Sequence, residues 1–337
     1  MKRADGIVAA RLIVIGFACL LFSYPVQATE VRLYGTNYIS LEKVASELGM
    51  DLIWSQRRKQ VYLKSDWTKI ECTLHKRFCV LNGSRVYLGK PIVLYKNQLY
   101  LGKKDYRSAL LPILAPQTFA NVPKLYRIVI DPGHGGRDPG AENRAIGLRE
   151  KDVAFNVARL LKRSLTELGY KVVLTREQDA YVPLEQRAQL ARVHRADLFI
   201  SIHFNAAKSS KAEGLETYVF TLPWHPSSNR SKLVASDKRE YAGNADNTWS
   251  TLASYSVHSS MVAALGGKDR GLKRARFTVL RDLDCPGFLI EGGFISNHDE
   301  GMKIKTQSYQ ERLVNAITQG VLAYQKKLNR ARGLSGK

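Results

Sequence analysis

Tyr126-Arg-Ile-Val-Ile-Asp-Pro-Gly-His-Gly-Gly136 is an apolar run that opens into a glycine-rich turn and presents a single histidine. Ile128 to Ile130 read as a buried strand, which Pro132, Gly133, Gly135 and Gly136 end abruptly. A histidine at the exit of such a strand, with no bulky neighbour beside it, is free to approach a large or charged group. Read alone, the stretch leaves two accounts open: His134 is a ligand, or it is incidental to a tight strand-to-helix turn.

Outward from this turn, strands and helices alternate. Glu150 opens an amphipathic helix whose buried side carries Val153, Val157, Leu160, Leu161, Leu165 and Leu168, with Gly169 at its end. Lys171-Val-Val-Leu-Thr175 reads as a strand, Leu184 to His194 as a second helix, and Asp197-Leu-Phe-Ile-Ser-Ile-His203 as an apolar strand closing on His203. Leu215 to Phe220, Arg276 to Leu280 and Gly287 to Glu291 are further expected strands, followed by a last helix from about Ser308 to Lys327. This order predicts an α/β fold with a mostly parallel sheet and helices on both faces. Ligands of such sheets gather at the carboxyl ends of the strands, where His134, His203 and Glu291 all fall. Glu291 follows Phe288-Leu-Ile290, and an unpaired carboxylate buried there would be costly. Glu150 has an ordinary account as well, because an acidic first turn complements the helix dipole. Two histidines and a carboxylate from separate elements, with a further carboxylate nearby, fit a catalytic zinc site with three protein ligands and one open position.

Six segments carry a closer resemblance. Val129-Ile-Asp-Pro-Gly-His-Gly-Gly-Arg-Asp-Pro-Gly-Ala141, Gly147-Leu-Arg-Glu-Lys-Asp152, Leu174-Thr-Arg176, Pro183-Leu-Glu-Gln-Arg187, Ser201-Ile-His-Phe-Asn-Ala206 and Ile290-Glu-Gly-Gly-Phe-Ile-Ser-Asn297 resemble the zinc-dependent N-acetylmuramoyl-L-alanine amidases of bacterial cell-wall turnover, in the family's order. The resemblance implies that His134, Glu150 and His203 bind one zinc ion and that Glu291 is the catalytic carboxylate. It implies hydrolysis of the bond joining the lactyl carbonyl of N-acetylmuramic acid to L-alanine of peptidoglycan, in wall turnover or cell separation. Asp131 is expected to hydrogen-bond near His134 or cap the turn, and Arg176 and Arg187 to form structural ion pairs. The glycines around His134 are expected to keep the open side of the metal clear for a bulky glycopeptide.

The 337 residues carry a net charge of +22 with 45% hydrophobic and 24% charged residues, a globular composition that favours polyanionic surroundings. Lys2, Arg3 and Arg11 precede the apolar run Leu12 to Phe22, and Val26 and Ala28 supply the small residues of a cleavage site. Residues 1–28 therefore read as a secretory signal peptide, whose removal leaves +20. The expected location is a periplasm, envelope or cell exterior. Wall polymer is the expected polyanion there, with no nucleic acid, and with a membrane met only through the signal peptide.

Residues 29–115 read as a separate, small β-rich α+β domain, and 116–124, with Pro116 and Pro123, as a linker to a catalytic domain at 125–330. Ser40 caps a helix with Leu41, Val44, Ala45 and Leu48 on one face and Gly49 at its stop. Short alternating runs follow, with a hairpin turn at Asn82-Gly83. The Ile39-Ser-Leu41 helix, the hairpins, Leu81-Asn-Gly83 and Gln98-Leu-Tyr-Leu101 resemble the N-terminal domain of some copper amine oxidases, without clustered residues that would hold copper. Cys72 and Cys79 read either as a disulfide of an exported protein or as two buried thiols, and Cys285 as a packed, unpaired one.

Thr221 to Tyr255 is a long polar excursion between core strands. Some relatives of the amidases carry an inhibitory helix here whose glutamate plugs the zinc until an activator protein removes it. By that resemblance Glu240 or Asp237 could be the plug; the alternative is an ordinary surface excursion. Asn247 to Leu265 reads as a helix returning to the fold, with His258 structural. Two other functions fit less of the sequence. A zinc carboxypeptidase acting on wall peptides would share the ligands, and a wall-binding or hydrolase-activating factor would need only the positive charge.

Overall fold

The computed structural model describes residues 28–333; the signal peptide expected over 1–28 lies outside them except for Ala28. Among the described residues no helix is long and apolar enough to cross a membrane.

The first unit begins with β1 (Glu30–Leu33) and β2 (Thr36–Ser40), a hairpin that leads into the helix Leu41–Leu48. Ser40 accepts a hydrogen bond from the Lys43 amide, and Gly49 stops the helix in the left-handed conformation at φ 61°, as the capping residues require. A meander follows: β3 (Asp51–Ser55), β4 (Gln60–Lys64), β5 (Lys69–Thr73), β6 (Phe78–Leu81) and β7 (Ser84–Tyr87), each antiparallel to the next. Asn82 and Gly83 both take positive φ, the conformation that lets two residues join right-twisted strands. Cys72 and Cys79 are register partners across β5 and β6 and are disulfide-bonded, while Cys285 is free and buried. β8 (Val93–Tyr95) and β9 (Gln98–Gly102) complete a second, four-stranded sheet with β1 and β2.

The second unit contributes β10 (Arg127–Pro132), the two-residue pair β11 (Glu142–Asn143) and β12 (Leu148–Arg149), β13 (Lys171–Leu174), β14 (Leu198–Asn205), β15 (Leu215–Phe220), β16 (Asp269–Ala275) and β17 (Gly287–Phe294). Its sheet runs β13-β10-β14-β17-β15-β16, with every neighbouring pair parallel except β15 and β17. Adjacent residues of each central strand enter different layers, which is why these strands read as unbroken apolar runs. Ile128, Ile130, Ile200, Ile202, Phe288 and Ile290 join a large core with the helices Glu150–Glu167, Asn247–Leu265 and Gln307–Ala331. Val129, Phe199 and Leu289 join a smaller one with Ala188, Ala191, Val279 and Leu280 on the other face. Each such side chain contributes about 1.5–3 kcal/mol of burial.

Two features were not apparent from the pattern. The expected strand over Arg276–Leu280 is absent: the strand is β16, Asp269–Ala275, and Thr278–Arg281 is a short helix. β16 hides because Arg270, Lys273 and Arg274 lie within it, and each is spent on a specific partner instead of marking solvent. In addition, β16 pairs in parallel with β7 through Leu272 and Val86, so the meander and the strands of the second unit form one eleven-stranded sheet. Within residues 116–124, Phe119 packs edge-on against Trp249 of the helix Asn247–Leu265 at 6.3 Å.

Candidate metal centre and active site

β10 delivers His134 at the far side of Pro132 and Gly133, in a left-handed conformation with φ 59°. For a non-glycine residue this backbone is uncommon and has to be held in place. The holding network lies beneath it. Asp131, fully buried, accepts hydrogen bonds from Thr175, Ser201 and Arg187. Arg187 is equally buried and also donates to the carbonyls of Pro132 and His134, at 2.9 Å each. Asp131 and Arg187 thus form the structural ion pair expected of that arginine. Arg176 differs from expectation: it pairs with no carboxylate and instead donates to the carbonyls of Pro132, Gly133, Lys151 and Gln178, with its guanidinium over the Phe155 ring. A planar fork of donors can collect several carbonyls at once, which an ammonium on a flexible stem does poorly.

Above this network three side chains converge. His134 Nε2 lies 3.1 Å from Glu150 Oε2, and His203 Nδ1 lies 2.9 Å from Glu150 Oε1. The ligand atoms of all three fall within 4.8 Å of one another, a cluster able to hold a metal ion. A tetrahedral zinc with bonds near 2.05 Å separates its ligand atoms by roughly 3.3 Å, so small adjustments suffice. Glu150 sits at the first turn of its helix but does more than complement the dipole. Its two oxygens also accept from the amides of Ala141 and Phe204. Burial resists ionisation of Glu150, but the two histidines outweigh it and hold its carboxyl far below the usual range. The His134 ring is lowered by burial and raised, in net, by Glu150 and Asp138.

Asp138 was not singled out from the sequence. Its Oδ2 lies 2.8 Å from His134 Nδ1, leaving Nε2 turned to Glu150, and its Oδ1 accepts from the Gly140 amide. A carboxylate on the second ring nitrogen fixes the orientation of a metal-binding imidazole. The detectable signal was a carboxylate four residues beyond a histidine in a glycine-rich turn. The glycines of the turn also have a different use from the one expected. A Cβ on Gly133 would come within 2.4 Å of the His203 ring, and one on Gly140 within 2.6 Å of both Glu150 and His134. They make room for the cluster itself.

Glu291, on β17, is the register partner of His203 on one side and of Glu216 on the other. With His134, Glu150 and His203 it lines one cavity of about 380 Å³, closed by Asn205, Arg276 and Phe277 among others. Glu216 is a second residue that strand reading passed over, a lone carboxylate in Leu215-Glu-Thr-Tyr-Val-Phe220. It is buried and fully spent, accepting from Arg270, Lys273, Tyr218 and Asn205. Glu291 is not spent: its Oε2 is buried without a hydrogen-bond partner. Burial first, then the charges of Glu150 and Glu216, push its carboxyl well above the usual range. A cation held beside it would draw it back down.

The chain matches the N-acetylmuramoyl-L-alanine amidase family over residues 128–323 and the copper amine oxidase N-terminal domain over residues 24–104. It belongs to the N-acetylmuramoyl-L-alanine amidase family. It is 34% identical to the N-acetylmuramoyl-L-alanine amidase LytC of Bacillus subtilis over 197 residues, 58% of this chain and 35% of that one. Two solved amidase structures superpose with a TM-score of 0.50 over 59% of this chain and 98% of theirs: the catalytic domain of CwlV from Bacillus (Paenibacillus) polymyxa var. colistinus, 29% identical, and Clostridioides difficile CwlD in complex with the GerS lipoprotein, 27% identical. The chain spans between about a third and about half of the length of the curated relatives it first matches.

Of the two readings of the segment after Thr221 in this amidase-family chain, the structure fits the surface excursion. The excursion from Thr221 contains only short 3-10 turns before the helix Asn247–Leu265 begins, and neither proposed plug lies in the metal cavity. Asp237 is fully buried and paired with Arg230 and Arg276, at 2.6 Å each, while Glu240 is exposed. Asp237 is thus committed to two arginines, and the segment has the character of the ordinary surface excursion that was the alternative. His258 is structural, bridging Thr217 and Asp269 at 3.0 Å each.

Proposed function

We propose that this chain is an exported zinc amidase that cleaves peptidoglycan between N-acetylmuramic acid and L-alanine, in wall turnover or cell separation. His134, Glu150 and His203 would hold the zinc, and Glu291 would be the catalytic carboxylate. The reading rests above all on the unpartnered oxygen of Glu291, which lines the same cavity as three residues able to bind a metal. Zinc held by two imidazoles and a carboxylate acidifies a water towards a pKa of about 7 and polarises a carbonyl.

The chain's own groups supply the rest. Glu291 accepts the proton of the attacking water and returns it to the amino group of the departing L-alanine, the acid–base work of a carboxylate with an elevated pKa. Asp138 holds the His134 ring so that Nε2 faces the cluster. Asp131, Arg187 and Arg176 hold the backbone that carries it. The cavity is open enough for a glycopeptide and is walled by Leu184, Phe204, Phe277 and Leu289, which can exclude bulk water from the reacting bond. Residues 29–115 form the accessory module of this scheme, 116–124 its connection, and 125–330 the catalytic unit.

The test is release of new L-alanine amino termini from purified peptidoglycan. Wild type is expected to release them only with zinc present, and stripping the metal with a chelator or replacing Glu291 by Ala is expected to abolish release. Release of C-terminal D-alanine instead would identify a carboxypeptidase. Binding to the polymer without any cleavage would identify a wall-binding factor.

A further inference from the structure

A cavity larger than the metal pocket lies elsewhere in the molecule. About 570 Å³ in volume, it lies where the first unit meets the 221–246 excursion. Three elements build it: the β1–β2 turn with Tyr34, the segment Lys103–Ser108, and the excursion with Trp224, His225 and Leu233. Its cations are Lys90, Lys103, Lys104 and Arg107. Glu30 takes Lys103 and the Pro223 carbonyl takes Lys104 at 2.6 Å, while Lys90 and Arg107 have no carboxylate partner among the described residues. The one acid below them, Asp105, is buried and already accepts from the amides of Gly89 and Lys90.

Two further features are costly unless something binds here. Tyr34 is 95% exposed and Trp224 57% exposed at the rim, and Trp224 holds a left-handed backbone at φ 63°. His225 lines the cavity while only 5% exposed, and neither of its ring nitrogens has a hydrogen-bond partner among the described residues. Nε2 lies 3.4 Å from Asp105 Oδ1, close enough for charge attraction but not aligned for a hydrogen bond. The His225 ring rests directly on Gly89, whose Cβ would overlap it, so the seam is built around this histidine. Unspent cations beside exposed aromatic faces suit an anionic sugar polymer: the cations meet carboxylates and the rings meet the apolar faces of sugars.

We infer that this seam cavity is a second wall-binding site, holding the stem-peptide carboxylates and adjacent sugars of peptidoglycan apart from the point of cleavage. The inference rests on the amidase reading proposed above. It also gives the excursion a use. Arg276, which lines the metal cavity, donates to the carbonyls of Leu222, His225 and Asp237, so the strap that borders the seam cavity is tied to one wall residue of the metal cavity.

The test uses the full exported chain with Glu291→Gln, so that bound polymer stays intact, and measures cosedimentation with purified sacculi stripped of attached phosphate polymers. Lys90→Glu/Arg107→Glu is expected to weaken binding about tenfold, and Trp224→Ala severalfold. Lys171→Glu/Lys326→Glu, an equal charge change at two exposed sites elsewhere, is expected to change it less than twofold. Amidating the sacculus carboxylates should bring the Glu291→Gln chain down to the level of the seam variant. Equal losses for both charge reversals would overturn the site in favour of diffuse attraction, and unaltered binding by the seam variant would overturn it outright. Binding that requires the phosphate polymers would assign the cavity to a different ligand and overturn it too. Cleavage of a soluble muramyl-peptide by wild type is scored separately, so loss of the amidase reading is distinguishable from loss of the second site.

Discussion

The metal cavity and the seam cavity are linked through Arg276 and are opposite in charge. In the first, buried carboxylates predominate: Glu216 is matched by Arg270 and Lys273, Glu150 by two histidines, and Glu291 by nothing. In the second, cations predominate, and Lys90 and Arg107 stand without a carboxylate partner among the described residues. Elsewhere buried carboxylates are held by arginines, as Asp131 with Arg187 and Asp237 with Arg230 show. The difference teaches where to look for ligands. Spent charge marks scaffold, and unspent charge marks a place awaiting the opposite sign.

The largest effect is expected from the unspent carboxylate. Glu291→Gln should lower the rate of amide hydrolysis by about 10³-fold, within the range general acid–base groups supply. Zinc content should stay at that of wild type, since Glu291 is not among the proposed ligands. Thermal stability should hold or rise, because a buried carboxylate without a partner is removed. Metal analysis and a melting curve on the purified variant check both; a marked fall in stability would mean that Glu291 is spent after all.

A spent charge should behave in the opposite manner. Arg187→Met leaves Asp131 uncompensated in a fully buried position and is expected to cost about 3–5 kcal/mol. Adding Asp131→Ala should recover part of that loss, since the stranded charge disappears. Denaturant unfolding of the two variants measures the difference. If the single and double variants unfold alike, the pair is not the support on which the His134 turn rests.

How much of each cavity was legible follows from the same distinction. His134, His203 and Glu291 could be found because each ends or interrupts an apolar strand, and Glu150 because it opens a helix. The layers were readable because the central strands are apolar on both faces. β16 was not, since Arg270, Lys273 and Arg274 resemble a solvated stretch until their partners are known. Arg274 is buried and satisfied by Ser108, Phe220, Asn247 and Thr251, partners that lie up to 166 positions away. The seam was illegible for that reason: Val86 meets Leu272, and Gly89 meets His225, only after both units have folded. Asp138 lay within a quoted motif, yet its role depends on the ring nitrogen it reaches.

At the seam a smaller steric effect is expected. Gly89→Ala would place a methyl group against the His225 ring, with its Cβ only 1.7 Å from the nearest ring carbon. The ring must move, at a cost of about 1–3 kcal/mol by analogy with overpacked cores. Hydrogen exchange of the 222–237 strap should rise while that of β10 and β14 stays at the wild-type level. Exchange rising equally in β10 and β14 would show that the two cavities are not separate structural regions.

The smallest effect is a dependence on acid. Asp105 braces the first unit's side of the seam through the Gly89 and Lys90 amides, and Asp269 crosses the seam to the Arg85 amide on β7. Burial raises the pKa of each carboxyl, but His225 and the amides outweigh it for Asp105, and His258 and Arg85 outweigh it for Asp269, so both end below their ordinary value. A carboxyl depressed by folding binds its proton more readily in the unfolded chain. Its contribution to stability is therefore complete above the unfolded pKa of about 3.9 and is lost as pH falls through the lower folded value. Each tenfold change in acidity between the two states contributes about 1.4 kcal/mol. Amide exchange at the β7–β16 junction, divided by the intrinsic exchange rate at each pH, should be unchanged from pH 7 to about 5 and should accelerate below about 4, with Asp269→Asn removing part of that acid limb. Acceleration centred near pH 6 would instead assign the seam's sensitivity to a histidine, and the carboxylates would then not be what joins the two halves of the sheet.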